Sequence, residues 1–308
     1  MRRVTVDIDS LVAEGVVDKA TAEKIAARSG TSTTLFAIQF FIGVCIAGLA
    51  AASALLDPEF RLIPLGAFAL FAAGLFATHY AGKEWFVATH TSVIIGTIGL
   101  CAWVLKMNPA TESFVPIALL LLVAGVMSKN SLLVGLAVVA TTPLLNLSGM
   151  YHHAMYGLIV QKPLMTIATY TLIGVGAIVL ARKLEGAYAR MSGFAAGTSF
   201  FIVNLGFWVG SLWGDSLGGN RYDSVITPTQ FALAWAALSG LLMVAGLFLN
   251  KRAAVNLGGV FLSINLFTQW HEWFAREPSA LLLGSVIGIA VALLFAYYNM
   301  RADKRVVS

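Results

Sequence analysis

Ten long apolar runs constrain this chain more than any other feature. They cover about 33–56, 62–81, 86–105, 114–127, 131–149, 163–181, 193–214, 228–249, 253–274 and 280–299. Most of them reach the roughly 20 residues that a helix needs to cross the hydrocarbon core of a bilayer. Only 11% of the residues are charged, well below the roughly 25% of soluble domains. The sequence therefore predicts an all-α, polytopic transmembrane bundle of about ten spans, with residues 33–299 as the membrane domain.

The distribution of Lys and Arg predicts the orientation of these spans. If all ten runs cross and the N-terminus is cytoplasmic, fifteen of the 20 basic residues lie inside and five lie outside. This bias obeys the positive-inside rule. Leaving out the short run 114–127 would reverse the bias, so it is predicted to span too, by helix extending toward Pro109 or by local thinning of the bilayer. Both termini are thus predicted to be cytoplasmic, the second as a basic tail at 300–308, and no nucleic-acid partner is expected.

Residues 1–32 differ from the rest because charges run through them and no apolar signal segment is present. A first short helix is predicted to stop at Gly15, and Asp18 is predicted to cap a second helix from Lys19 to Ser29. So short a cytoplasmic helical hairpin is marginally stable alone. We therefore expect it to dock on the membrane domain, on a second copy of the chain in a homo-oligomer, or on a protein partner.

An internal similarity at an offset of 121 residues supports the same count of spans. Its two copies lie in the fourth and eighth runs, an even number of spans apart, so both copies have the same orientation. Val123-Ala-Gly-Val-Met with Lys129 aligns with Val244-Ala-Gly-Leu-Phe with Lys251. The pattern predicts an array of helix hairpins that are joined by tight cytoplasmic turns. Similar composition alone would also produce such an alignment, so both interpretations stay open.

The N-terminal segment also carries a family resemblance. Its spacing, L-x-x-x-G-x-[IV]-[SD]-x-x-x-A-x-x-I, is met by Leu11, Gly15, Val17, Asp18, Ala22 and Ile25, and the last hairpin has the aromatic-acidic patch Trp270-His-Glu-Trp-Phe274. In these features the chain resembles a family of uncharacterised bacterial multi-pass inner-membrane proteins. The resemblance implies a bacterial inner membrane and brings no established activity. The ten short spans are also similar to the drug/metabolite transporter superfamily, although its two halves are inverted and the repeat here is parallel.

Polar residues form stripes on three of the runs that lead from inside to outside. At 100° per residue, the seventh run aligns Gly193, Gly197, Asn204, Ser211 and Asp215 within about 20° of one line. The fifth run aligns Gly135, Thr142, Asn146 and, if its helix continues, His153. The ninth run aligns Gly258, Asn265, Gln269 and Glu272. Each stripe has glycine low, an amide past the middle and a titratable group at the predicted outer end.

Two interpretations of the stripes remain open. Glycines allow close helix approach and amides hydrogen-bond between helices, which is a packing role. Alternatively, the stripes converge on one outward-facing polar cavity that is lined by Asn146, His153, Asn204, Ser211, Asp215, Asn265, Gln269 and Glu272. The cavity predicts transport or sensing of a small polar or cationic solute. The other hypothesis is a non-catalytic membrane scaffold or accessory subunit that acts through residues 1–32.

Enzyme chemistry finds little support in the sequence. There is no phosphate-binding loop, no H-E-x-x-H and no G-x-S-x-G, so no catalytic activity and no cofactor are expected. Cys45 and Cys101 lie in separate apolar runs, so neither a structural disulfide nor a cysteine metal site is expected. The weak metal candidates are Met150, His152, His153 and Met155, which suit copper or, with carboxylates, zinc; a plain interfacial loop explains the same residues.

Overall fold

The computed structural model describes residues 12, 15–22, 38, 41–46, 48, 63–80, 85–152, 155–215, 226–248, 252–274, 279, 282–290, 293 and 297. The chain divides into two compact units, Met1–Met107 and Asn108–Ser308. Both units are largely helical over these residues.

The first unit contains an antiparallel pair of long helices, α1 (Ile63–Tyr80) and α2 (Phe86–Met107). Glycines hold them at close range. A Cβ on Gly96 would lie 2.5 Å from the backbone nitrogen of Phe71, and one on Gly74 would lie 2.8 Å from that of Val93. Such close contact of small residues is the usual way in which apolar helices associate in lipid.

The described part of the N-terminal segment agrees with its predicted local signals. Gly15 has a φ of +72°, a conformation that favours glycine. The Asp18 carboxylate accepts a hydrogen bond from the Thr21 backbone N–H, so Asp18 caps the helical turn that begins at Lys19. Most of the predicted second helix, and the docking of the hairpin, lie outside the described residues.

This cap predicts a measurable pH dependence. Hydrogen bonds from the Thr21 hydroxyl and then the Thr21 backbone N–H lower the pKa of the Asp18 carboxyl from its ordinary value. Because the folded-state pKa is depressed, the cap's contribution is present above the unfolded pKa and is lost as the pH falls through the folded pKa. We expect NMR titration to give Asp18 a lower pKa than Asp in an unfolded peptide, and a Thr21→Val variant to move it back up. An unchanged pKa in that variant would contradict the hydrogen-bond assignment.

Over its described residues, the second unit has six helices of ten residues or more and a β-hairpin. These elements are α3 (Phe114–Ser128), α4 (Ser131–Ala140), β1 (Leu147–His152), β2 (Met155–Val160), α5 (Pro163–Lys183), α6 (Gly186–Trp213), α7 (Pro228–Phe248) and α8 (Arg252–Phe274). A 3₁₀ turn at Thr111–Ser113 precedes α3, and another at Thr142–Leu145 follows α4. Residues 282–290 are also helical.

Six helical segments in the described part of the chain are long and apolar enough to cross a membrane. They are Ile63–Tyr80, Phe86–Met107, Thr111–Ser128, Pro163–Lys183, Gly186–Trp213 and Pro228–Phe248. The set is compatible with a multi-pass membrane protein. It includes the short fourth run, which the 3₁₀ turn at Thr111–Ser113 lengthens in the predicted direction. The count of ten spans and the repeat stay predictions.

The fifth run, 131–149, does not form the predicted continuous helix. Helix α4 ends at Ala140, and Asn146 has a φ of +56°. Pro143 explains the end of α4, because proline disfavours helical backbone in the preceding residue and lacks an N–H for the helix. The chain then enters β1, whose Leu147 pairs with Val160 of β2. The condition for aligning His153 with this stripe, a helix that continues that far, is therefore not met, and the hairpin is an exception to the all-α prediction.

The core of the second unit lies where the hairpin meets α5–α8. Its buried side chains come from the open end of the hairpin, where Leu147 pairs with Val160, and from all four helices: Leu147, Val160, Tyr170, Ile202, Val203, Phe207, Val209, Phe231, Trp235 and Phe261. Thr141 just after α4 reaches the same region, with its hydroxyl 2.8 Å from that of Tyr170. Helices α6, α7 and α8 thus share one aromatic core, and this core positions the polar side chains that link the three helices.

Candidate functional site

Asn204 links α6 to α7. Its Oδ1 accepts a hydrogen bond from the indole Nε1 of Trp235 at 2.8 Å, and its Nδ2 donates to the Phe200 carbonyl, also at 2.8 Å. Trp235 is only 1% exposed. A buried indole N–H needs an acceptor, and Asn204 supplies it from the neighbouring helix.

Asn265 makes a corresponding link from α8 to α7. It is 2% exposed, and its Nδ2 donates to the Ala232 carbonyl at 3.0 Å. Because Ala232 and Trp235 lie on the same turn of α7, the two predicted amides converge there from opposite neighbours. Gln269 lies one turn further along α8, and its Nε2 is buried with no hydrogen-bond partner in the described part of the chain.

Asp215 lies just beyond the end of α6 and is 1% exposed. Its Oδ2 accepts a hydrogen bond from the backbone N–H of Leu164, in the first turn of α5, at 2.7 Å. Its backbone is held by Ile226, whose carbonyl accepts from the Asp215 N–H at 3.0 Å. The other carboxylate oxygen, Oδ1, is buried and has no partner among the described residues.

This arrangement makes Asp215 chemically distinctive. The start of α5 favours a negative charge, because its helix dipole is positive there and the Leu164 N–H has no acceptor within the helix. One hydrogen bond satisfies only part of a buried carboxylate. The Oδ1 atom, which has no partner among the described residues, is therefore able to bind a small cation.

The other predicted site residues are not brought together with Asp215 in the described structure. The Ser211 hydroxyl is used within α6, where it donates to the Trp208 carbonyl at 2.7 Å. Asn146 is exposed in the turn before β1, and Glu272 is exposed near the end of α8. His153 lies outside the described residues. A single cavity lined by all eight residues thus stays a prediction.

The metal hypothesis is equally untested. His152 and Met155 are paired residues at the tip of the hairpin, with Met150 also on β1, but the side chains of this tip are outside the described part. Elsewhere in the described chain, no three His, Cys, Asp or Glu residues come together as a metal site would require.

The glycines of the stripes divide into two groups. A Cβ on Gly258 would lie 2.7 Å from the Met243 nitrogen on α7, and one on Gly135 would lie 2.4 Å from the Phe194 ring on α6. Gly193 and Gly197 have no described residue within 4 Å of that position. The packing interpretation is confirmed at Gly258 and Gly135, and the described part of the chain gives it no support at Gly193 and Gly197.

Two parts of this site escaped the sequence analysis. Trp235 lies mid-way along an apolar run, where an indole N–H cannot reach water, and that position was the signal that it needs a polar partner. The Leu164 N–H belongs to the backbone, so the residue type of Leu164 does not reveal it as a donor. The signal in the sequence was Pro163, which is typical of the first position of a helix and so marks where α5 begins.

No family model, no curated protein and no solved structure matches this chain. The family resemblance of residues 11–25 and the bacterial origin therefore stay expectations. Function has to be argued from the geometry of the second unit.

Proposed function

We propose that the chain is a multi-pass membrane protein that transports or senses a small cationic solute, which binds at Asp215. The observation that carries this proposal is the buried carboxylate whose Oδ1 atom has no partner in the described structure. Of the small polar or cationic solutes that the sequence favours, a cation compensates this oxygen best.

The two asparagines take a different role in this proposal. Asn204 and Asn265 already spend hydrogen bonds on α7, so they hold the helices together. They stabilise the helices around which the site is built, and Asp215 is the proposed solute contact. This structural role of the two asparagines agrees with the modest strength of interhelical hydrogen bonds in membranes, about 0.6–2 kcal/mol each.

The orientation of the site follows from the basic residues. Arg182, Lys183 and Arg190 flank the short turn between α5 and α6, and the positive-inside rule favours a cytoplasmic position for them. Asp215 is at the opposite end of α6. We therefore propose that the site faces the outer side of a bacterial inner membrane, with both termini of the chain in the cytoplasm.

The test compares Asp215→Asn with Asp215→Ala. Asparagine keeps an oxygen that accepts from Leu164 but removes the charge, whereas alanine removes both. We expect wild-type protein in detergent to gain thermal stability with at least one of Na⁺, K⁺, Mg²⁺ or Ca²⁺ at constant ionic strength, by about 2.7 kcal/mol at a hundred times the Kd. Asp215→Asn is expected to fold and to lose this response.

Glu112→Gln provides the matched control, because Glu112 is an exposed carboxylate at the start of the same unit. It should keep the full response to the cation. If Asp215→Asn responds to cations as the wild type does, and only Asp215→Ala is destabilised, Asp215 is a helix cap and the proposed solute site is refuted.

A further inference from the structure

The second unit has an apolar groove of about 420 Å³ on a face that the polar site does not use. Helices α4 and α6 pack on each other and form its floor. Helix α3 packs on α4, and α5 packs on α6, whereas no contact of comparable extent joins α3 to α5. The groove is the gap between these two walls.

The lining of the groove is almost entirely aliphatic. It includes Leu119, Leu122, Val138, Ile173, Ala177 and Met191. The Thr141 hydroxyl at one end is already bonded to the Val138 carbonyl and to the Tyr170 hydroxyl. Along α5 the lining runs from Ile173 to Leu184, a distance of eleven residue steps or roughly 16 Å. A guest in this groove must therefore be apolar and elongated.

The size of the groove selects among apolar guests. A volume of about 420 Å³ lies toward the lower end of the range for sites that hold one small molecule. The groove therefore suits a single thin apolar molecule better than a helix from a second copy of the chain. Lipid acyl chains are thinner, and they are the apolar molecules that surround any membrane-spanning helix.

One end of the groove is basic. It is bounded by Val126, Leu184 and Tyr188, next to four cations and one carboxylate in sequence: Lys129, Arg182, Lys183, Arg190 and Glu185. Lys129 directly follows the end of α3, three residues after the lining residue Val126. At 100° per residue, Lys183 lies about 90° from the row of lining residues on α5. Arg182 and Arg190 project from the opposite faces of α5 and α6. Two of the four cations thus flank the mouth of the groove.

Lys129 occupies a conformation that glycine would adopt more easily. Its φ is +53°, and it ends α3 in a Schellman turn in which the Asn130 N–H bonds to the Gly125 carbonyl at 2.8 Å. Glycine is the usual residue in this left-handed position, because a Cβ is unfavourable there. Lysine therefore stands at a position near this mouth where the backbone conformation would favour glycine.

We propose that the groove binds one acyl chain of an anionic phospholipid, with the lipid phosphate between Lys129 and Lys183. Ammonium groups bind phosphate through charge-assisted hydrogen bonds, and basic pockets between helices on the cytoplasmic side of a membrane suit anionic headgroups. The proposal concerns a different site from Asp215, so either can fail without the other.

The first test fills the groove. Wild-type protein reconstituted with equal amounts of phosphatidylglycerol and phosphatidylcholine is examined by native mass spectrometry for retained lipid. We expect preferential retention of phosphatidylglycerol, and at least a fivefold loss in both Ala177→Phe and Ala118→Phe, which add a ring from α5 and from α3. Leu172→Phe is the control, because Leu172 is 75% exposed on α5 and does not line the groove. Equal retention in the filled and control variants would overturn the proposal.

The second test separates the headgroup contact from the fold. Lys129→Gly removes the charge and relieves the backbone, so its Tm should stay level or rise while phosphatidylglycerol retention falls about fivefold. Arg182→Gln removes the same charge from the opposite face and should change retention less than twofold. Equal losses in these two variants, or no preference over phosphatidylcholine in the wild type, would refute the phosphate site. Glycerol 3-phosphate should not compete, because it lacks the chain.

Discussion

Trp235→Ala is expected to lower the free energy of unfolding by about 3–5 kcal/mol, as is typical when a large aromatic side chain is removed from a core. Trp235 packs with Phe231 and Phe207 in the core that α6, α7 and α8 share. Its removal leaves a cavity and also leaves the Asn204 Oδ1 atom without its donor. Denaturation of the detergent-solubilised protein, followed by tertiary-structure probes, measures the loss.

A milder substitution separates the two contributions. Trp235→Phe keeps most of the packing and removes only the indole N–H, so it is expected to lower stability by about 1–2 kcal/mol. Combined with Asn204→Leu, it should be less damaging than the sum of the single changes, because both remove the same hydrogen bond. Additive losses would mean that the Asn204–Trp235 bond contributes nothing measurable.

The sequence predicted the membrane character and most helix positions because apolar runs of about 20 residues have one common solution in lipid. It failed at the fifth run for a physical reason. Hydropathy measures transfer into an apolar phase and does not distinguish helix from strand, so it did not show that the run 131–149 ends in β1. Pro143 was the local signal for the break, and it outweighed the periodicity that aligned Thr142 with Asn146.

The candidate site was predicted in part. Periodicity placed Asn204 and Asp215 on one face of a helix, and both side chains do make contacts outside α6. It could not say what they contact. The partner of Asp215 is a backbone N–H that is 51 residues away in the chain, and a backbone donor leaves no mark in the amino-acid sequence. A helical period gives a direction, whereas a neighbour depends on how the helices are arranged.

The glycines of the stripes show the same limit. Gly258 and Gly197 hold equivalent places in their stripes, yet among the described residues Gly258 faces another helix and Gly197 does not. A Cβ there would lie 2.7 Å from both the Met243 nitrogen and the Ser239 carbonyl oxygen of α7. Backbone atoms in the middle of a helix cannot move aside individually, so Gly258→Ala must push α7 and α8 apart.

We expect Gly258→Ala to lower the free energy of unfolding by about 1–3 kcal/mol, the usual result of overpacking a close contact. The shift also stretches the 3.0 Å hydrogen bond from Asn265 to the Ala232 carbonyl, two turns further along α8. Gly197→Ala is the control: with open space around its Cβ, alanine should raise stability by about 0.5–1 kcal/mol through helix propensity alone. Thermal unfolding of the two variants decides the matter. A loss of the same size in both would show that the glycines act through helix flexibility, whereas opposite signs would locate the effect in the contact between α7 and α8.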